Sequence, residues 1–191
     1  MSIFHLKPLR QQTDEQLMER AKAGRDAAFE ELYRRYAHRL KGFFFLQLGR
    51  DEELAADATH DVFLRLYEAR CRYREGSSVS TWIYTIAYNI CRNHYRSNAY
   101  ESRLLEALDA ELIAEQHIEV ELDAATLDQA LEQVLSDLPA PLHQLFSLHY
   151  QEELTIPQIA EIVGIPEGTV KSRLHKTMNI IRKKLKKYEN H

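Results

Sequence analysis

The sequence predicts an all-α protein: two small helical domains joined by an acidic flexible linker, the C-terminal one a helix-turn-helix. Three observations carry that prediction. Apolar residues recur at steps of three and four along most of the 191 residues, and no stretch alternates apolar and polar residues as a half-buried strand would. Helix-start signals and Gly or Pro stops punctuate the chain at helical lengths. Charge comes in blocks: residues 1–100 carry sixteen Lys and Arg against thirteen Asp and Glu, 101–135 carry one against ten, and 136–191 carry eight against six. The formal net charge of −4 therefore hides two segments that tolerate an anionic polymer, with an acidic stretch between them.

The elements follow in order. Thr13, with Gln16 three residues on, is a capping box, and Leu17, Met18 and Ala21 form the apolar face of the helix it opens, which Gly24 ends. A second helix starts near Ala27 and carries Phe29, Leu32, Tyr33, Tyr36, Leu40 and Phe43 on one stripe. A third, from about Glu52 to Ala69, carries Leu54, Ala55, Ala58, Val62, Leu66 and Tyr67. Glu75-Gly76-Ser77-Ser78 is a loop. A fourth helix starts at Ser80 or Thr81, carries Trp82, Ile83, Ile86, Ala87 and Ile90, and ends in polar residues up to Asn98. The first domain is thus expected over 1–98 and the linker over 99–125, where Glu, Ala, Leu and Asp dominate and the apolar stripe is weak. The second domain, 126–191, opens with Leu127, Ala130, Leu131, Val134 and Leu135, stops at Leu138-Pro139, and continues with Leu142, Leu145, Phe146 and His149.

The most informative stretch comes next. Thr155 and Gln158 form a second capping box before Ile159, Ala160, Ile162 and Val163; Gly164-Ile165-Pro166 is a tight turn; Val170, Leu174, Met178, Ile181 and Leu185 then mark the apolar side of a further helix. Short helix, small-residue turn and second helix make a helix-turn-helix. Its polar side presents Lys171, Ser172, Arg173, His175, Lys176 and Asn179, donors suited to phosphates and to base edges in a major groove. The closing cluster Arg182, Lys183, Lys184, Lys186 and Lys187 fits a phosphate backbone or a solubilising end equally well. Upstream, Trp82, Tyr84 and Tyr88 stand near Arg92 and Arg96, and stacking rings beside cations suit a single strand. Trp82 is expected partly in the core, while Tyr84 and Tyr88 read as core or as stacking residues with equal force.

Several classes are excluded. Two cysteines, Cys71 and Cys91, do not make a disulfide scaffold and point to a reducing cytoplasm. No apolar run approaches the roughly 20 residues that span a bilayer, and the first residues lack the features of a signal peptide. None of the nine histidines has ligand-spaced partners, so no metal is expected. No phosphate-binding glycine loop, nucleophile elbow or paired-carboxylate motif occurs, so no enzyme, cofactor or small-molecule substrate is expected. The alternative that survives is a helix-turn-helix regulator that binds duplex DNA without starting transcription.

Leu154 to Glu161 followed by Gly164 to Lys176 resembles the promoter-reading domain of extracytoplasmic-function sigma factors. In the first half, Ala28 to Tyr36, Asp57 to Leu64 and Ser80 to Asn93 resemble, in order, the opening of that family's other signature domain, its polymerase-clamp helix and its helix for the melted upstream element. Two departures stand out: His60 replaces the usual Gln before the acid-Val-Phe run, and the loop Gly76 to Ser80 lacks the aromatic that many members place before Thr-Trp. The resemblance implies docking on core RNA polymerase through Arg34 to Tyr36 and through Asp57, Asp61, Leu64 and Arg65. It implies that Ser78, Ser80, Trp82, Tyr84, Tyr88, Arg92 and Arg96 hold the melted −10 strand of promoter DNA. Thr169, Lys171, Ser172, Arg173, His175 and Lys176 would read the −35 duplex. It further implies an anti-sigma factor, membrane-bound in some members, as the controlling partner.

Overall fold

The computed structural model describes residues 8–96 and 127–188. The expectation of a flexible linker over 99–125 lies outside them. The chain divides into two units, 1–91 and 92–191, and every regular element among the described residues is helical.

Over residues 8–96 a 3-10 turn, Leu9–Gln11, leads into α1 (Asp14–Lys22), α2 (Asp26–Gln47) and α3 (Glu52–Ala69); a second 3-10 turn, Arg70–Arg72, and a loop precede α4 (Val79–Arg96). The expected capping box forms, with the Gln16 N–H donating to Thr13 Oγ1 at 3.3 Å and the Thr13 N–H to Gln16 Oε1 at 3.2 Å. Asp51 caps α3 by accepting from the Glu53 and Leu54 N–H groups, both at 2.9 Å. Helix α2 packs against both α1 and α3. That double contact explains why Phe44 is fully buried beside the predicted Leu32, Leu40 and Phe43: a helix flanked on two sides needs a wider apolar face than one stripe. Val62 and Leu66 of α3 are fully buried, as are Leu17 and Met18 of α1.

Helix α4 differs from expectation in its buried side. Val79, Ile83, Tyr84, Ala87 and Cys91 are fully buried, while Ile86 and Ile90 are half-buried. The inward stripe is thus rotated by about one residue from the predicted one.

The second unit comprises α5 (Leu127–Ser136), α6 (Ala140–Phe146), α7 (Ile156–Val163) and α8 (Glu167–Tyr188). Val134, Leu135, Leu138, Phe146 and Ile181 form a common core, with Leu131, Met178 and Leu185 packed against it. The helix predicted to run on to His149 changes register after Phe146 and continues as one π turn, Ser147–Gln151, closed by the Glu152 N–H on the Ser147 carbonyl at 3.0 Å. Contacts further along the chain select that wide turn. Leu148 is fully buried, its carbonyl accepts from the Leu154 N–H at 3.0 Å, and His149 Nδ1 lies 2.9 Å from the Leu154 carbonyl. Glu153 completes the reversal at a positive φ of 56°.

Candidate nucleic-acid interface

The helix-turn-helix forms as the sequence predicts. The Thr155 N–H donates to Gln158 Oε1 at 3.0 Å at the start of α7. Gly164 takes a left-handed conformation, φ 76° and ψ 34°, and the Gly164 and Ile165 N–H groups both donate to the Ala160 carbonyl, at 2.9 and 3.2 Å. That pairing satisfies the helix end and reverses the chain within a few residues. Ile159, Ile162, Val170 and Leu174 bury the contact between α7 and α8, and Ile165 lies half-buried at its edge.

The first half of α8 brings the predicted duplex-reading residues together. Lys171, Ser172 and His175 are exposed, as is Asn179; Thr169, Arg173 and Lys176 are half-buried. Ser172 Oγ donates to the Thr169 carbonyl at 3.0 Å, and buried Thr177 donates to the Arg173 carbonyl at 2.8 Å. Asn179 Nδ2 lies 3.3 Å from His175 Nδ1, one turn along the same side. Cationic and polar donors therefore stand on a rigid helix whose other side is core, the arrangement that positions a protein on phosphates and reads base edges.

The predicted single-strand residues separate into two groups. Ser78 Oγ accepts from the Thr81 N–H at 3.2 Å and lies 3.0 Å from Ser80 Oγ, so both hydroxyls stand at the first turn of α4. Trp82 is half-buried and stacks on Tyr73 at a centroid distance of 5.9 Å and an interplanar angle of 16°. Tyr88 is half-buried and Arg92 exposed; the Arg96 side chain lies outside the described residues. Tyr84 departs from the stacking expectation. It is fully buried, with its ring edge-on to Phe43 at 5.9 Å and to Tyr36 at 6.5 Å. No base can stack on a ring with no accessible face, so Tyr84 is a core residue. Tyr73 is the member of this site that sequence reasoning missed, although it stands before the Gly76 turn, where an aromatic side chain has little reason to be placed other than packing.

On α3, Asp57, Leu64 and Arg65 are exposed and Asp61 is half-buried beside them, while Val62 and Phe63 turn inward. Exposed aromatic surface adjoins this face: Tyr33 lies 4.6 Å from Phe63 and Tyr67 5.1 Å from Phe29, centroid to centroid. The Arg70 guanidinium sits 3.7 Å from the Tyr67 ring centroid. The spacing of 29 with 33 and of 63 with 67, one turn each, was the available signal.

Arg34 to Tyr36 do not form one outward patch. Arg35 donates to Asp14 at 2.6 Å, to Glu31 at 3.0 Å and to the Leu9 and Arg10 carbonyls at 3.2 Å, and the buried Tyr36 hydroxyl donates to Asp14. These two residues fasten α1 to α2. Arg34 keeps an exposed side chain while binding Glu31 at 2.6 and 2.8 Å. The Arg34 hydrogen bonds, opposed by partial desolvation and reinforced by Arg35, hold the Glu31 carboxyl down at about 2. Burial, with the Asp14 carboxylate next, pushes the Tyr36 phenol up.

Among the described residues no group of His, Cys, Asp and Glu could hold a metal ion, and no helix is long and apolar enough to cross a membrane.

Comparison with known proteins places both halves. Residues 31–100 match the family model Sigma-70 region 2, and residues 128–179 match Sigma-70, region 4. The RNA polymerase sigma-H factor of Pseudomonas aeruginosa is 29% identical over 186 residues, covering 93% of this chain and 96% of that one. The ECF RNA polymerase sigma-E factor of Haemophilus influenzae is 28% identical over 184 residues, covering 92% and 96%. The fold is also that of the sigma factor RpoE solved in complex with the anti-sigma factor NepR from Bartonella quintana, with a TM-score of 0.60 at 22% identity over 83% of this chain and 96% of that one. With region 2 and region 4 in order on one chain, and relatives aligned nearly end to end, this protein belongs to the extracytoplasmic-function sigma factors.

Proposed function

We propose that this sigma factor binds bacterial core RNA polymerase in the cytoplasm and directs promoter-specific initiation through two separate DNA contacts. The observation that carries the reading is the pairing, on one chain, of a region 2 match and a region 4 match with a basic helix-turn-helix in the second unit. A regulator that only reads duplex DNA has no need of the first unit's outward face on α3 or of its serine-rich loop.

Residues 1–98 serve polymerase docking and the −10 strand; residues 126–191 serve the −35 duplex. Asp57, Asp61, Leu64 and Arg65 dock the polymerase. Ser78, Ser80, Trp82, Tyr88 and Arg92 hold the melted strand, with hydroxyls at a helix start and a ring beside a cation as the supporting chemistry. Thr169, Lys171, Ser172, Arg173, His175 and Lys176 read the duplex. The acidic composition of residues 99–125 suits a polymerase channel that later carries RNA, because negative charge there imitates a nucleic-acid strand. That a structural neighbour was solved with an anti-sigma factor supports control by such a partner here.

Run-off transcription with purified core polymerase tests the reading. Specific transcripts that require both proteins, and thymines at −10 that become reactive to permanganate, are the expected result. A chain that binds duplex DNA alone and never opens a promoter with core polymerase would instead be a regulator.

A further inference from the structure

Helix α1 has a polar side that the two DNA contacts do not use. Glu15, Glu19 and Lys22 recur at steps of four and three along the border of the buried face formed by Leu17, Met18 and Ala21. The side they form faces the loop between α3 and α4 at two points. Lys22 Nζ donates to the Tyr73 carbonyl at 2.8 Å, and Glu15 Oε1 lies 3.5 Å from the Val79 N–H at the start of α4. One helix thus touches the loop at both ends.

Tyr73 is where that contact becomes consequential. Its carbonyl is held by Lys22, its hydroxyl donates to the Ser77 carbonyl at 2.6 Å, and its ring lies against Trp82. The Ser77 N–H closes the intervening turn on the Arg74 carbonyl at 3.1 Å, with Gly76 at a φ of 83°. Ser78 and Ser80 follow directly. Moving Tyr73 would therefore move the ring under Trp82 and the turn that sets the two serines. Helix α1 is itself fixed, because Asp14 at its first turn is bound by Arg35 and Tyr36 of α2.

We infer that α1 is a positioning element of the strand-binding loop and that Lys22 is the residue through which it acts. Lys22 touches no base. It sets the carbonyl of Tyr73, and through Tyr73 the placement of Trp82, Ser78 and Ser80. This inference rests on the proposed assignment of that loop to the −10 strand.

The test uses the full chain assembled with core polymerase and two variants. Lys22→Met removes the ammonium and keeps the apolar stem; Lys22→Arg keeps the charge and a donor. Each holoenzyme is measured for preference between a −10 single strand and a scrambled strand, for permanganate reactivity at −10, for core association and for −35 duplex binding. Lys22→Met should lower the strand preference by roughly tenfold, the scale of one lost charge-assisted hydrogen bond, with core association and duplex binding at wild-type values. Lys22→Arg should recover most of the preference. An unchanged preference in Lys22→Met overturns the inference. So does an equal loss on both strands accompanied by a lower melting temperature, which would make Lys22 a structural prop only. A wild-type holoenzyme without strand preference defeats the underlying assignment, an outcome visible before any variant is made.

Discussion

Asp61 and Arg65 form a two-point ion pair one helical turn apart on α3, with both N–H···O distances at 2.8 Å. Leu64, 58% exposed, stands between them in sequence. An exposed pair of this kind contributes about 0.3–0.5 kcal/mol to the helix, so breaking it costs little stability. Substituting Asp61→Arg places two cations a turn apart and removes the acid from the proposed docking face. Thermal unfolding should change by a few degrees at most, while association with core polymerase is lost. Co-purification of the variant at wild-type yield would show that this face does not dock.

The two proposed duplex contacts should differ in kind. Arg173→Ala should cost about 1–3 kcal/mol of −35 binding and leave random duplex nearly unaffected, as expected for a bidentate base contact. Lys183→Ala should weaken every duplex alike and reduce the slope of affinity against salt by about one unit. Titrations of both variants over a salt series distinguish the two roles. Equal loss across sequences for Arg173→Ala would assign its guanidinium to phosphate.

Acid should loosen the junction of α1 and α2. Glu31 has its carboxyl lowered from 4.5 to about 2, so the fold favours the ionised form. Its contribution is complete above pH 4.5 and is lost as pH falls through about 2. Glu31→Gln should therefore melt below wild type at neutral pH, and the gap should close as the pH approaches 2. Paired melting curves across that range measure it; a constant gap would mean that the ion contacts of Glu31 do not supply the difference.

Tyr84→Ala should cost about 3–5 kcal/mol of stability, the range for truncating a buried aromatic side chain, because its ring fills the space between Phe43 and Tyr36. Tyr84→Phe keeps that ring, so holoenzymes carrying it should open promoters as wild type does. Permanganate footprints that weaken with Tyr84→Phe while the melting temperature holds would return the hydroxyl to the strand site.

Gly164→Ala isolates a backbone cost. Nothing lies within 4 Å of the Cβ that alanine would add, so there is no clash, but the φ of 76° is strained for any side chain. A loss of about 1–2 kcal/mol is expected, with −35 specificity retained. Denaturant unfolding gives the first value and competition binding the second.

The helical order and the turn at Gly164 were legible because capping boxes, positive-φ glycine and apolar steps are local signals, complete within a few residues. The orientation of α4 was less so. The steps 79, 83, 84, 87 and 91 were present in the sequence, but Tyr84 among them is chemically fit for either side of a helix, and Ile86 and Ile90 drew the inferred stripe around by one position. What escaped entirely are relationships between distant residues. Arg35 reaches Asp14 across 21 positions and Lys22 reaches Tyr73 across 51, and no spacing rule announces either. The π turn at Ser147 is of the same kind, since its cause is the return of Leu154 to Leu148.

Trp82 is the only tryptophan in the chain, and it rests half-buried on Tyr73 beside the serines of the loop. That puts the one tryptophan fluorophore within the loop proposed to hold the −10 strand. Excited selectively, its emission reports the surroundings of this loop, so a strand entering, a shift of Tyr73 or the release of Lys22 would each be visible in the unlabelled protein in real time, and a DNA strand adds no tryptophan of its own.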